Sequence, residues 1–218
     1  ISILGKMFRY LASQTKTNIC CHVDHGYTLD ECYEGIDSGF TSVMFDGSKL
    51  TLKENIKISK KIASRAHKYN ISIEGEIGFV GYDNGKISEG TNIEDAVTFA
   101  NKSNIDAMAI SVGNTHLQTS KKASIDFNKI NLIEAKTKIP LVLHGSSGIP
   151  VEQRKKLARK TKVAKLNIGT EIRMTFGEAL RKNLKNNPKT YDRLQLLKPT
   201  IKDLTKVTKK IIKQIGPN

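Results

Sequence analysis

Short apolar, β-branched runs alternate six times with longer polar-periodic segments, and no hairpin signal joins any two of the runs. The runs are 19–23, 41–45, 71–77, 107–112, 141–143 and 165–168. Each is short and rich in β-branched or apolar residues, as strands of a buried parallel sheet are. The intervening segments 29–38, 52–69, 93–101, 127–136 and 152–159 read as helices, the second placing Ile56, Ile58, Ile62 and Ala66 mostly on one face. Parallel neighbours need a crossover, and a helix supplies it, so the chain reads as six consecutive βα units. Thr28 is placed to cap the first of these helices. Residues 1–13 read as a helix ahead of the first strand. A further amphipathic helix covers 200–215, with Ile201, Leu204, Val207, Ile211 and Ile215 on one face, Thr200 as its cap and Gly216-Pro217 at its end.

A complete eight-unit barrel takes about 250 residues, and this chain has 218. The six units already take up residues 19–190, so the expected fold is a partial α/β (β/α)8 TIM barrel with about six parallel strands, and residues 1–218 form a single partial domain. The chain opens on Ile1 with no signal-peptide pattern, which leaves a processed N-terminus or a fragment as the two readings. No apolar run approaches membrane-span length. Three cysteines, Cys20, Cys21 and Cys32, two adjacent and none in CxxC spacing, point to small buried side chains in a reducing cytoplasm rather than to a disulfide framework.

The net charge of +15 is unevenly distributed. Residues 1–152 balance at 17 basic against 17 acidic, whereas 153–218 carry 19 basic and 4 acidic. The excess is mostly lysine with few aromatics between, which suits solvated helix faces better than base readout in nucleic acid.

Chemistry-bearing residues gather where the apolar runs end. His22-Val-Asp-His-Gly26 follows the first, Asp46-Gly-Ser48 the second, and Glu74-Gly-Glu-Ile-Gly78 lies on the third. Gly113-Asn-Thr-His116, His144-Gly-Ser-Ser-Gly148 and Asn167-Ile-Gly-Thr170 follow the last three. In a parallel barrel these ends meet on the face where active sites form. His25, His116 and His144, from three strand ends, make an open zinc-type donor set. His22 reads as a supporting or core residue and His67 as a solvated one. Gly145, Ser147 and Asn167 to Thr170 stand where barrels commonly bind phosphate through backbone N–H groups and helix N-termini.

In this order the segments resemble class II ketose-bisphosphate aldolases, the group that includes fructose- and tagatose-1,6-bisphosphate aldolases. The resemblance is carried by the segments at 22–26, 39–48, 73–78, 106–113, 140–150 and 165–171. It implies zinc held by His25, His116 and His144, with Asp46 and Glu76 as carboxylates near the metal. Asp24 is implied as the catalytic residue moving the proton at the hydroxyl whose oxygen becomes the aldehyde. Gly145, Ser146, Ser147, Asn167, Ile168, Gly169 and Thr170 are implied to hold a substrate phosphate. The implied activity is zinc-dependent cleavage of a ketose 1,6-bisphosphate, fructose 1,6-bisphosphate foremost, to dihydroxyacetone phosphate and glyceraldehyde 3-phosphate. A monovalent cation is a second candidate cofactor. A cytoplasmic glycolytic enzyme, a homo-oligomer (dimer or tetramer) when full length, with no membrane or nucleic-acid partner, completes the expectation.

Three departures accompany the resemblance. The family's first two βα units, with a substrate-contacting Asn and Ser, are missing. The loop Gly81-Tyr-Asp-Asn-Gly85 carries Asn84 where the family has the Glu that exchanges a proton with dihydroxyacetone phosphate, and Asp83 is the neighbouring carboxylate. Leu117 stands where the family has a glycine after the zinc-binding histidine. These differences set the alternative: a metal-binding aldolase homologue without turnover.

Overall fold

A computed structural model describes residues 1–82, 85, 88 and 90–216. Its strands are β1 (His22–Gly26), β2 (Ser42–Phe45), β3 (Ser72–Ile77), β4 (Ala107–Ile110), β5 (Leu141–Leu143) and β6 (Val163–Leu166), and strand order follows chain order. The helices are α1 (Ser2–Ser13), α2 (Leu29–Asp37), α3 (Leu52–Ala66), α4 (Ile93–Ser103), α5 (Phe127–Lys136), α6 (Val151–Lys160), α7 (Thr170–Asn186), α8 (Arg193–Leu197) and α9 (Thr200–Ile215). Among the described residues no helix is long and apolar enough to cross a membrane.

The chain divides into two compact units. The first comprises Ile1–Phe79, Ser88–Val112 and Asp126–Val142; the second comprises Val80–Ile87, Gly113–Ile125 and Leu143–Asn218. In the first unit β1 to β5 pair in parallel, with Val43 opposite Ile73, Gly75 opposite Met108 and Met108 opposite Leu141. Met44, Ala109 and Val142 pack together at the centre of this sheet, all fully buried. Two glycines bring helix and sheet together. A Cβ on Gly35 of α2 would lie 2.7 Å from Val23, and one on Gly75 of β3 would lie 2.8 Å from the Phe99 ring of α4. Each aliphatic or aromatic side chain buried in this way contributes about 1.5–3 kcal/mol.

Local sequence explains the helix starts. Thr28 and Glu31 form a complete capping box on α2, as Thr51 and Glu54 do on α3. At α9 the expectation needs correcting. Pro199 is the cap residue, and the Thr200 hydroxyl instead donates back to the Leu197 carbonyl at 2.7 Å. Proline's fixed φ suits a helix entrance, so no side-chain cap is required there. The first strand also sits later than its apolar run suggests. It begins at His22, because Cys21 meets Thr41 and Ser42 just before the ladder starts. The sequence reading did not separate α7 and α8 from the basic C-terminal block. Lysine-rich faces with an intermediate apolar stripe dilute their periodicity, and α7 buries none of its residues fully.

In the second unit the ladder continues through Leu143, whose carbonyl accepts from the Asn167 N–H at 2.9 Å. The Ser146 N–H donates to the Asn167 carbonyl at 3.0 Å. Helices α7 and α9 pack together, and α6 also meets α9. Cys21 and Cys32 are buried while Cys20 is exposed, so the expectation of buried thiols holds for two of three. Burial, then the nearby Glu31 charge, pushes the Cys32 thiol up to about 12, which leaves it inert.

Candidate active site

The first unit places Asp24, His25, Asp46 and Glu76 on the ends of three adjacent strands. Between Val23 and Gly26 strand β1 spends one residue more than its partner does between Val43 and Phe45. His25 absorbs the difference with a left-handed φ of 56°. A bulge of this kind re-aims side chains at a strand end. His25 Nδ1 lies 2.8 Å from Asp46 Oδ2 and 3.9 Å from Glu76 Oε2. Asp46 is itself fixed, since its Oδ1 accepts from the Ser48 hydroxyl at 2.6 Å and the Ser48 N–H at 3.2 Å.

Charge distribution follows from this geometry. Burial alone would lower the His25 pKa, but the bond to Asp46 and the negative charges of Asp24, Asp46 and Glu74 outweigh it, and the pKa is raised. Burial would raise Asp46, yet the hydrogen bonds from His25 and Ser48 hold it below the usual carboxylate range. His25, Asp46 and Glu76 each offer a ligand atom, all within 4.8 Å of one another. Imidazole with carboxylates is a donor set that accepts zinc. Glu76 is 1% exposed, and its backbone carbonyl accepts from the Asn55 side-chain amide at 2.8 Å. His22 has Nδ1 2.8 Å from Ser42 Oγ and Nε2 3.7 Å from Glu74. His67, read as solvated, is exposed and also pairs with Asp106 at 3.0 Å, and Asp106 accepts from the Ile73 N–H.

The second unit holds His116 and His144. Their rings meet edge to face with centroids 5.7 Å apart. His116 is positioned by its N–H, which donates to the Gly81 carbonyl at 2.8 Å, and by Tyr82, stacked on its ring at 5.1 Å. His144 is fully buried, and its carbonyl accepts from the Asn114 side chain at 3.0 Å. The Asn167 side-chain amide nitrogen lies 3.4 Å from each ring nitrogen of His144. Leu117, where a glycine is usual, takes a left-handed φ of 57° and stays 54% exposed.

The remaining residues surround one turn. Gly145 has φ +63°, and a Cβ there would fall 2.2 Å from the Thr115 carbonyl, so glycine is required. The buried Ser146 hydroxyl donates to the Leu143 carbonyl at 2.8 Å. Ser147 Oγ accepts the Glu171 N–H at 3.1 Å, which brings the turn to the start of α7. Ile168 and Gly169 lead into that helix, Thr170 is its first residue, and the cap residue Gly169 supplies no side-chain bond, so among the described residues Ser147 alone of the turn's side chains meets its first turn. The positive end of a helix suits an anion.

Sequence reasoning missed Ser48, Asn55 and Tyr82. Ser48 carried a signal, an Asp-Gly-Ser turn, whereas Asn55 and Tyr82 act through contacts with no sequence pattern. Asn84 and Asp83 lie outside the described residues.

The chain matches the family model for class II fructose-bisphosphate aldolase over residues 1–218. It is 36% identical over 201 residues to a 6-phospho-5-dehydro-2-deoxy-D-gluconate aldolase of Shouchella clausii, covering 91% of this chain and 68% of that protein. It is 33% identical over 202 residues to a fructose-bisphosphate aldolase of Staphylococcus aureus, covering 91% of this chain and 70% of that one. Among solved structures, the YdjI aldolase of Escherichia coli K12 superposes with a TM-score of 0.82 at 26% identity, over 99% of this chain and 76% of the other. On these grounds the chain belongs to the class II fructose-bisphosphate aldolase family, and it is an aldolase of that class.

Proposed function

We propose that the chain catalyses zinc-dependent cleavage, and the reverse condensation, of a phosphorylated ketose, releasing dihydroxyacetone phosphate. The observation that carries the reading is His25, an imidazole at a strand end oriented through Nδ1 by Asp46 at 2.8 Å, with Glu76 beside it. Fructose 1,6-bisphosphate is the first substrate reading. The second is 6-phospho-5-dehydro-2-deoxy-D-gluconate, favoured by the substrate named for the relative at 36% identity. Retro-aldol cleavage between C3 and C4 of either sugar gives dihydroxyacetone phosphate as one product. They differ in the other fragment, which carries a phosphate in one case and a carboxylate in the other.

His25, His116 and His144 would hold the zinc, with Asp46 orienting His25 through its hydrogen bond and Glu76 beside it. Bound there, zinc would supply Lewis acidity for the developing enediolate oxygen. Asp24, next to His25, would take the proton from the hydroxyl whose oxygen becomes the aldehyde, and return it in condensation. The turn Gly145, Ser146, Ser147 and the stretch Asn167, Ile168, Gly169, Thr170 would receive the phosphate through N–H groups and the start of α7. The scaffold belonging to this reading is a (β/α)8-type barrel, with residues 1–218 in one such domain. A monovalent cation is the second cofactor candidate, and the cytoplasm the proposed compartment. Association into a homo-oligomer agrees with the exposed apolar side chains Ile3, Leu4, Met7 and Leu11 of α1.

The test combines metal analysis with a cleavage assay on both sugars. Stoichiometric zinc, cleavage lost on chelation and restored by zinc, and preference for one sugar are expected. A protein that binds zinc but cleaves neither sugar would establish the non-catalytic alternative. Cleavage that persists in metal-free protein would sink the reading altogether.

A further inference from the structure

Arg154, on α6, is completely buried, which is unusual for arginine. Its Nη2 donates at once to the Ser147 carbonyl at 2.7 Å and to Glu171 Oε2 at 2.6 Å. Lys121 makes the same two contacts from the other side, reaching Glu171 Oε2 at 2.9 Å and the Ser147 carbonyl at 3.3 Å. The Glu171 N–H closes the arrangement by donating to Ser147 Oγ. Two cations and one carboxylate thus tie the Gly145-Ser146-Ser147 turn to the first turn of α7. The cost is visible, because Arg154 Nε and Nη1 are buried with no hydrogen-bond partner among the described residues. Donors orphaned in this way destabilise the folded chain. An apolar side chain of similar volume would fill the space without that penalty. What the guanidinium provides, and an apolar side chain does not, is a fixed distance between a carbonyl in the turn and a carboxylate in the helix.

We propose that Arg154 is a positioning residue for substrate phosphate, fixing the distance between the 145–147 turn and the first turn of α7, the two segments assigned to that phosphate. This rests on the phosphate assignment of those segments given above. Arg154 has no contact of its own with phosphate in this scheme. Its effect passes through Ser147 and Glu171, with Lys121 as a weaker, more exposed brace.

The experiment titrates inorganic phosphate into the full chain and its variants, followed by ³¹P NMR, alongside thermal melting and steady-state kinetics on the preferred sugar. Arg154→Met is expected to melt cooperatively, to weaken phosphate binding about tenfold, the loss of one to two good hydrogen bonds, and to raise KM more than it lowers kcat. Arg154→Lys should recover part of the loss, since it keeps the charge. A merely structural role would lower the melting temperature and leave phosphate affinity in the folded protein unchanged, and that result overturns the inference. Should Arg154→Met fail to fold, Lys121→Met serves instead. A several-fold loss of phosphate affinity then supports the inference, and affinity within twofold of the parent overturns it. A parent that binds no phosphate and cleaves no phosphorylated sugar overturns the functional reading and this inference together, whereas a binding parent with indifferent variants overturns this inference alone.

Discussion

Asp24 and His25 are neighbours in sequence, but the bulge at the end of β1 separates their tasks. His25 turns to Asp46, while Asp24 stays exposed. In the mechanism proposed above, Asp24→Asn keeps the shape and removes the base. The expected result is a 10²–10⁴-fold drop in kcat, roughly the worth of a positioned general base, with zinc content unchanged. Loss of zinc in that variant would mean that Asp24 acts on the metal site instead. Leu117 makes a second point. A leucine in the left-handed region carries about 1–2 kcal/mol of strain, and at 54% exposure its side chain recovers little by burial. Leu117→Gly removes the strain and adds about the same order of unfolded-state entropy. Its melting temperature should therefore match or exceed that of the parent, and a loss above about 1 kcal/mol by denaturant titration would contradict the account. The motif spelling made both positions conspicuous in the sequence. That His25 shares the left-handed conformation was invisible there, because it arises from the pairing of β1 with β2.

Elements start where local chemistry says they should. Thr51 accepts the Glu54 N–H, and Glu54 returns the bond to the Thr51 N–H. Thr51→Ala should cost about 1 kcal/mol of stability, as cap removals typically do, with kcat unaffected. A loss of activity without loss of stability would show that α3 has a role beyond carrying the sheet. The link between the 145–148 turn and α7 responds to pH instead. Burial works against ionisation of Glu171, but hydrogen bonds from Lys121 and Arg154 win, and its pKa is lowered from 4.5. A carboxylate depressed in the folded state contributes stability that is fully present above its unfolded value, near pH 4.5. That contribution is lost as pH falls through the folded value. Stability measured from pH 6 downward should therefore fall less steeply in Glu171→Gln than in the parent. Parallel curves would mean that the carboxylate is not ionically paired in solution.

Over the whole molecule, charge and chemistry are segregated. The acidic cluster around His25 lies in the first compact unit, and the basic excess of residues 153–218 lies in the second. Most of those lysines coat α6, α7 and α9, as solvated helix faces do. The buried pair Arg154–Glu171 is different, because a run of charges in sequence gives no indication of which member leaves water. Chelation offers the prediction at this scale. Metal removal should abolish cleavage while the cooperative melt survives, because the sheet of the first unit packs through apolar contacts such as Met44, Ala109 and Val142 rather than through the ion. A collapse of the melt on chelation would assign the metal a structural part.

Six parallel strands in chain order, nearly all their helices, the strand-end polar residues and the family were legible along the chain. Periodicity and capping are local, so they can be read within a window of residues. That His25 leans on Asp46, that Ser48 locks Asp46, that His67 meets Asp106, and that Arg154 goes inside to bridge Ser147 and Glu171 emerges in the folded chain alone. These partners lie up to 39 positions apart in the chain. No periodicity relates them, because their proximity is set by strand register and by the packing of helices on the sheet.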